Sequence, residues 1–365
     1  MSLSREQVLG FRAGAQGLDR KQAALDDTRI LDIGVQDTGP DGALWALALR
    51  GVDVHSLDDD ELALLWTVRG APHLYRPADL PSVAAAVAPF SEADAAKRIY
   101  DAAKPLRAAG IPVLEALDTV AGAMRSVVTT PTVKGEVSAR VAELMDEPYL
   151  RFCRPCDATH LYEMPFRLAA LRGGLELRPG TSPPVLQRIP DFRAALHPED
   201  RHDVVRAYLR LLGPATPKLV AGYLDAPVKD VAAHWPDDAV DVLVDGEKRF
   251  LLAADLDAAL ADRPPAVVRL LGPFDLFLQA QDRSLLVDDP ARRKALWPVL
   301  GRPGAVLHGS RVVGTWRPRK AGSRLTVSVE MWDGATAAVR DGVAEQAERL
   351  AEHRGLQLSD LQLGL

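Results

Sequence analysis

The 365-residue sequence predicts an α+β fold: small modules in series, mostly helical with strand pairs, followed by a β domain. Three observations predict it. Apolar residues recur at helical spacing in several segments that open on capping residues. Short apolar runs separated by glycine or Asp-Gly turns follow those helices. From about residue 265 the pattern becomes strands alternating with glycine turns, ahead of one closing helix. At about 100–200 residues per domain the length allows two to four domains. The expected divisions are 1–85, 86–184, 185–264 and 265–365.

In the first module, Ser4 is placed to cap a helix carrying Val8, Leu9 and Phe11. Residues 27–38 hold a short apolar stretch that ends at Gly39-Pro40, and 43–49 are again apolar. Residues 61–66 are read as a helix, with the acids before them near its positive end. Residues 68–74 read as a strand containing a turn.

In the second module, Ser91 and Asp94 satisfy a capping box. Residues 113–124 and 132–145 read as amphipathic helices, the latter with Val133, Val137, Val141 and Leu144 on one face. Residues 152–161 and 175–177 are the expected strands of a wing. Residues 178–184, with three prolines, form the best linker candidate.

In the third module, a helix over 204–212 ends at Gly213-Pro214. Thr216 caps the next helix, with Pro217 at its first position. A second short helix covers 227–234, and 242–252 form a hairpin. Three helices and a hairpin is the order of a winged helix, whose recognition helix enters a major groove. After residue 265, strands are expected at 267–271, 305–307, 312–316 and 325–331, then a helix over 336–353.

With 47% hydrophobic and 26% charged residues the chain falls among ordinary globular proteins. No run approaches the ~18 apolar residues of a membrane span, and residues 1–7 lack a secretory pattern, so a cytoplasmic location is expected. Two cysteines fit a reducing compartment. The net charge of −6 counts against nonspecific coating of DNA, which needs many cations on phosphate. Basic residues nevertheless cluster at 292–294 and 311–324, a local footprint on an acidic background.

Four stretches, taken in order, resemble one family: 33–38 (Ile-Gly-Val-Gln-Asp-Thr); 66–74 (Trp-Thr-Val-Arg-Gly-Ala-Pro-His-Leu); 213–216 (Gly-Pro-Ala-Thr); and 270–275 (Leu-Leu-Gly-Pro-Phe-Asp) through 281–283 (Gln-Asp-Arg) to 309–317 (Gly-Ser-Arg-Val-Val-Gly-Thr-Trp-Arg). They resemble the winged-helix family that contains the AlkZ and YcaQ bacterial DNA glycosylases. The resemblance spans nearly the whole chain. It implies tandem winged-helix modules around a DNA channel, a C-terminal β domain and excision of N7-alkylated or crosslinked purines from double-stranded DNA. The family's catalytic motif is Gln, an apolar residue, then Gln or Asp. Here Gln36 occupies the first position, Asp37 the apolar one and Thr38 the last.

N7 alkylation makes the purine a cationic leaving group. A site then needs a held water, and a carboxylate to stabilise developing positive charge or accept a proton. Gln36 can position that water and Asp37 can supply the charge. In an extended segment Gln36 and Thr38 share a face while Asp37 points away; Thr38 can hydrogen-bond water but is a poor base. Residues 37–40 also suit a turn.

Arg69, His73, Lys218, Lys229 and Arg317 are the candidate DNA contacts. Arg69 also reads as part of an internal ion pair, and His73 as a hydrogen-bonded structural histidine. Asp275, Asp282 and Trp316 read as packing residues. Cys153, Cys156 and His160 resemble half of a zinc site that Asp157 or Glu163 would have to complete; with no second cysteine pair, no metal is expected. Phosphate-loop, dinucleotide, serine-hydrolase and metalloprotease motifs are absent from the sequence. A monofunctional glycosylase needs no cofactor, so none is expected, and the protein is expected to act as a monomer. The alternative is a non-catalytic DNA-binding regulator or lesion-binding protein with a degenerate site.

Overall fold

The computed structural model describes residues 1–40, 42–261 and 266–364, with the side chain of Cys156 outside that description. The boundary expected at 264/265 lies outside the described residues. By contacts the chain groups into two compact units. One comprises Met1–Leu57, Tyr208–Leu219 and Pro236–Leu365; the other comprises Asp58–Ala207 and Val220–Trp235. Residues 185–264, expected as one module, contribute to both units.

The first unit contains two sheets. In the smaller, strand Ser2–Leu3 runs parallel to Ala239–Val244, which pairs antiparallel with Glu247–Leu252. The hairpin turn is Asp245-Gly246, both at positive φ (50° and 81°). That is the backbone a two-residue hairpin needs, and why Asp-Gly marks it in the sequence. Ser4 caps helix Arg5–Ala15 through a reciprocal box with Gln7. Val8 and Phe11 of this helix pack with Leu3, Val242, Val244 and Leu251 in one apolar core.

The larger sheet orders Val268–Leu271, Gly304–His308, Arg311–Ala321, Arg324–Met331 and Gln357–Gly364 side by side. The first four strands and helix Ala337–His353 match the reading of the sequence. The last strand was not foreseen. It lies parallel to Arg324–Met331, and its register slips so that no residue of that strand stands opposite Ser359, between Leu358 and Asp360. That extra residue breaks the period-two alternation by which a strand is recognised.

The second unit is built on antiparallel neighbours in the order Pro72–Tyr75, Ala63–Trp66, Leu175–Leu177, Val185–Arg188, Thr132–Val133. Residues 61–66 were read as a helix, and the structure corrects this. Ala63–Trp66 is a strand with all four residues buried, so the sequence shows a continuous apolar run without alternation. Helix Glu163–Arg172 was also missed, and its weak amphipathic contrast explains why: buried residues face both Val113–Val127 and the sheet. Helix Lys134–Ala142 is shorter than the expected 132–145, and Leu144 beyond it is exposed. Residues 178–184 close the hairpin between Leu175–Leu177 and Val185–Arg188. They therefore join two paired strands of one sheet, and a boundary at 184/185 falls inside it. Strands Leu150–Cys153 and Ala158–Leu161 form a separate hairpin.

No helix among the described residues is long and apolar enough to cross a membrane.

Candidate active site and nucleic-acid contacts

The segment 33–43 lies in the first unit. A 3-10 turn at Arg29–Asp32 leads to Gly34, whose positive φ of 88° redirects the chain into the extended pair Val35–Gln36. Gln36 Nε2 donates to Thr38 Oγ1 at 3.0 Å. The two side chains thus meet on one side of the segment, as alternation requires. The Gln36 side chain is buried and Thr38 half-buried.

Asp37 turns the other way, toward the start of helix Ala43–Ala48, where its Oδ1 accepts from the Ala43 backbone N–H at 3.1 Å. Gly42 precedes that helix and has no side chain to cap it, so the carboxylate of Asp37 caps it instead. Burial pushes the Asp37 carboxyl above its ordinary value of 3.8, opposed in part by the Ala43 N–H. A carboxylate of raised basicity is a better proton acceptor near neutral pH. Among the described residues, Oδ2 has no hydrogen-bond partner.

Sequence reading missed Gly42. A Cβ at this position would lie 2.5 Å from Asp37 Oδ1 and 2.9 Å from Thr38 N. The sole signal is a glycine just before an apolar helical run. Gly42→Ala is expected to displace the Asp37–Thr38 segment, costing about 1–3 kcal/mol by overpacking. Urea unfolding measures that cost, and base release is expected to fall more steeply than stability because the strain falls on the candidate site.

Arg69 and His73 belong to the second unit. His73 is fully buried, with Nδ1 2.9 Å from the Ala71 carbonyl and 3.0 Å from Thr67 Oγ1. Thr67 Oγ1 is also 3.0 Å from the Tyr75 hydroxyl. Burial, and then the nearby Arg69 charge, pull the His73 pKa down to about 3 against the contact with Ala71. The ring is therefore neutral at physiological pH, with its Nδ1–H donating to Ala71. Arg69 sits at positive φ (58°) with its guanidinium 4.7 Å above the Tyr223 ring, donating to the Tyr223 carbonyl. His73 therefore presents no surface to a phosphate, whereas Arg69 is half-buried.

Lys218, Lys229 and Arg317 are exposed. Arg317 donates to the Gly301 carbonyl at 2.8 Å. Asp282 is buried between Arg12 and Arg249, and Asp275 is buried against Arg50. Trp316 is buried, donating to the Leu271 carbonyl at 2.9 Å. Gly304 is fixed by this ring, since a Cβ there would fall 2.2 Å from Trp316 Nε1. Of the residues considered for zinc, Cys153 lies on the first strand of the separate hairpin, and His160 on the second contacts the Leu161 carbonyl through Nδ1. Glu163 is held by Lys134 and Arg167. Burial pushes its carboxyl up, but those cations outweigh burial and hold it below the usual value.

Comparison with known proteins follows the same line. Residues 31–353 match the family described as DNA glycosylase AlkZ-like. The chain is 26% identical over 347 residues to an interstrand DNA cross-link repair glycosylase of Streptomyces sahachiroi, covering 87% of this chain and 88% of that protein. The solved structure of Streptomyces sahachiroi DNA glycosylase AlkZ superposes with a TM-score of 0.76 at 23% identity over the full length of both chains. The match to the family spans most of the sequence and includes the Gln36–Thr38 segment: the chain belongs to the AlkZ-like DNA glycosylases.

Proposed function

We propose that this DNA glycosylase hydrolyses the N-glycosidic bond of alkylated purines, N7-type or crosslinked, in duplex DNA, using the 36–38 segment. The observation that carries this reading is the pairing of Gln36 and Thr38 beside a half-buried carboxylate of raised basicity. Gln36 holds the attacking water by its amide and Thr38 fixes the amide's orientation, while Asp37, turned to the other side of the segment, acts through the negative charge of its carboxylate, which stabilises the oxocarbenium-like charge. The purine departs with the electron pair of the glycosidic bond, and water supplies the new C–O bond. N7 alkylation makes the base cationic, so no strong general acid is required.

In this reading Lys218, Lys229 and Arg317 meet phosphates, while Arg69 and His73 act indirectly by holding the 67–75 loop in shape. The relative's printed name supports crosslinked DNA as a substrate class. The four divisions 1–85, 86–184, 185–264 and 265–365 are proposed as modules, the first three of them winged helices that bind duplex DNA. The protein acts as a cytoplasmic monomer without a cofactor.

The test is single-turnover base release from duplexes carrying N7-methylguanine or an N7 crosslink. Gln36→Ala is expected to lower release by about 100-fold or more with duplex affinity kept. Wild-type release no faster than that of Gln36→Ala would overturn the assignment. Tight, sequence-selective binding to undamaged DNA without release would favour a regulatory protein.

A further inference from the structure

We propose that the loop at residues 298–303 is an apolar wedge that enters the base stack of duplex DNA, while the basic cleft beside it grips the phosphate backbone. This rests on the reading that duplex DNA is the substrate. Val299 and Leu300 are 98% and 87% exposed, the most solvent-facing apolar neighbours among the described residues. Single exposed apolar residues need no explanation, but two in succession on a braced tip do.

The bracing is specific. Before the tip, Trp297 is buried, donates to the Leu278 carbonyl at 3.3 Å, and carries the Arg283 guanidinium 5.1 Å above its ring. After the tip, Gly301 turns the chain at φ 64°, and Arg317 holds its carbonyl at 2.8 Å. Arg302 then stacks 5.0 Å from the Phe274 ring. Pro298 and Pro303 stiffen both flanks. The loop is thus held out into solvent rather than folded down.

Trp297 also lines a cleft of about 630 Å³ within the first unit. Its walls carry Lys218, Arg249, Arg283, Arg293 and Lys294 against two carboxylates, Glu247 and Asp282. Asp282 is already neutralised by Arg12 and Arg249. Lys218 and Lys294 are exposed, so excess positive charge faces solvent on a chain whose net charge is −6. Cations flanking an apolar tip match a partner that is anionic outside and apolar within. Duplex DNA is such a partner, and proteins that kink it insert Leu, Ile, Phe or Met between base steps while Arg and Lys hold the strands. Two copies of this chain would bring like charges together.

The experiment uses the full chain and an unmodified duplex containing 2-aminopurine, so it needs no base excision. Wild-type binding is expected to raise 2-aminopurine fluorescence through unstacking. The double variant Val299→Ser/Leu300→Ser is expected to abolish the rise and weaken binding at least tenfold. Lys218→Gln/Lys294→Gln is expected to retain the rise at saturation and to reduce the slope of log K against log salt by about 2, at about 0.9 per phosphate contact.

An unchanged rise in the serine variant overturns the wedge, and an unchanged salt slope in the glutamine variant overturns the cleft. A serine variant altered only in sedimentation mass would make the loop a self-association surface, also overturning the proposal. If these results appear as expected while alkylated bases are not released, the substrate reading fails and the wedge stands. If release is normal while the rise is unaltered in the serine variant, the wedge alone fails.

Discussion

Asp37→Asn is expected to lower single-turnover base release by about 100- to 10,000-fold with little loss of stability. Asparagine is close to isosteric with aspartate, and its Oδ1 can still accept the Ala43 N–H that Asp37 accepts at 3.1 Å. The substitution therefore keeps the helix cap and removes only the charge and the basicity of Oδ2. A carboxylate serving solely as a cap would leave the rate unchanged in this variant, which separates the two roles.

The pH profile gives a second readout. Burial raises the Asp37 pKa above 3.8, so the carboxylate is protonated at a higher pH than an ordinary aspartate. The wild-type rate should decline as pH falls through that raised value. The limb should be absent from Asp37→Asn. Measuring release from an N7-methylguanine duplex across pH, with subtraction of the enzyme-free rate, checks both points. A wild-type profile that follows the variant's down to the acid end would remove Asp37 from the chemistry.

Elements whose signals are local were legible in the sequence. Ser4 as a helix cap, Thr216 before Pro217, and Asp245-Gly246 each specify their structure through one or two residues, and the structure contains all three. Ala63–Trp66 failed because burial on both faces erases the alternation that distinguishes a strand from a helix. Gln357–Gly364 failed because a register slip shifts its leucines off period two. The pairing of Gln36 with Thr38 followed from strand geometry alone. The cap made by Asp37 did not, because it depends on a close approach across Gly42 that is visible only in three dimensions. The role of Arg50 left no trace in the sequence, since its partner lies 225 positions away.

That partner supports the second large prediction. Arg50 is buried, and each of its five N–H groups has an acceptor. Nε donates to the Gln16 carbonyl at 2.9 Å; Nη1 donates to the Ala46 carbonyl and Asp275 Oδ2, both at 2.8 Å; Nη2 donates to Gln16 Oε1 at 3.0 Å and Asp275 Oδ1 at 2.9 Å. Asp275 also caps its own 3-10 turn through the Phe277 N–H at 3.0 Å. Asp275→Ala strands a buried guanidinium and should destabilise the protein by about 3–5 kcal/mol. Replacing both partners, Arg50→Met with Asp275→Leu, should recover much of that loss because no uncompensated charge remains. The cap at Phe277 stays broken, so recovery should fall short of wild type by about 0.5–2 kcal/mol. Urea unfolding of wild type, both single variants and the double variant gives the coupling between the residues. Additive losses would show that the pair is not the clamp its geometry implies. Arg50 also grips the Ala46 carbonyl, on the helix whose first N–H is held by Asp37. A helix fixed at both ends positions the candidate carboxylate, so Asp275→Ala should also slow base release under conditions where the variant remains folded.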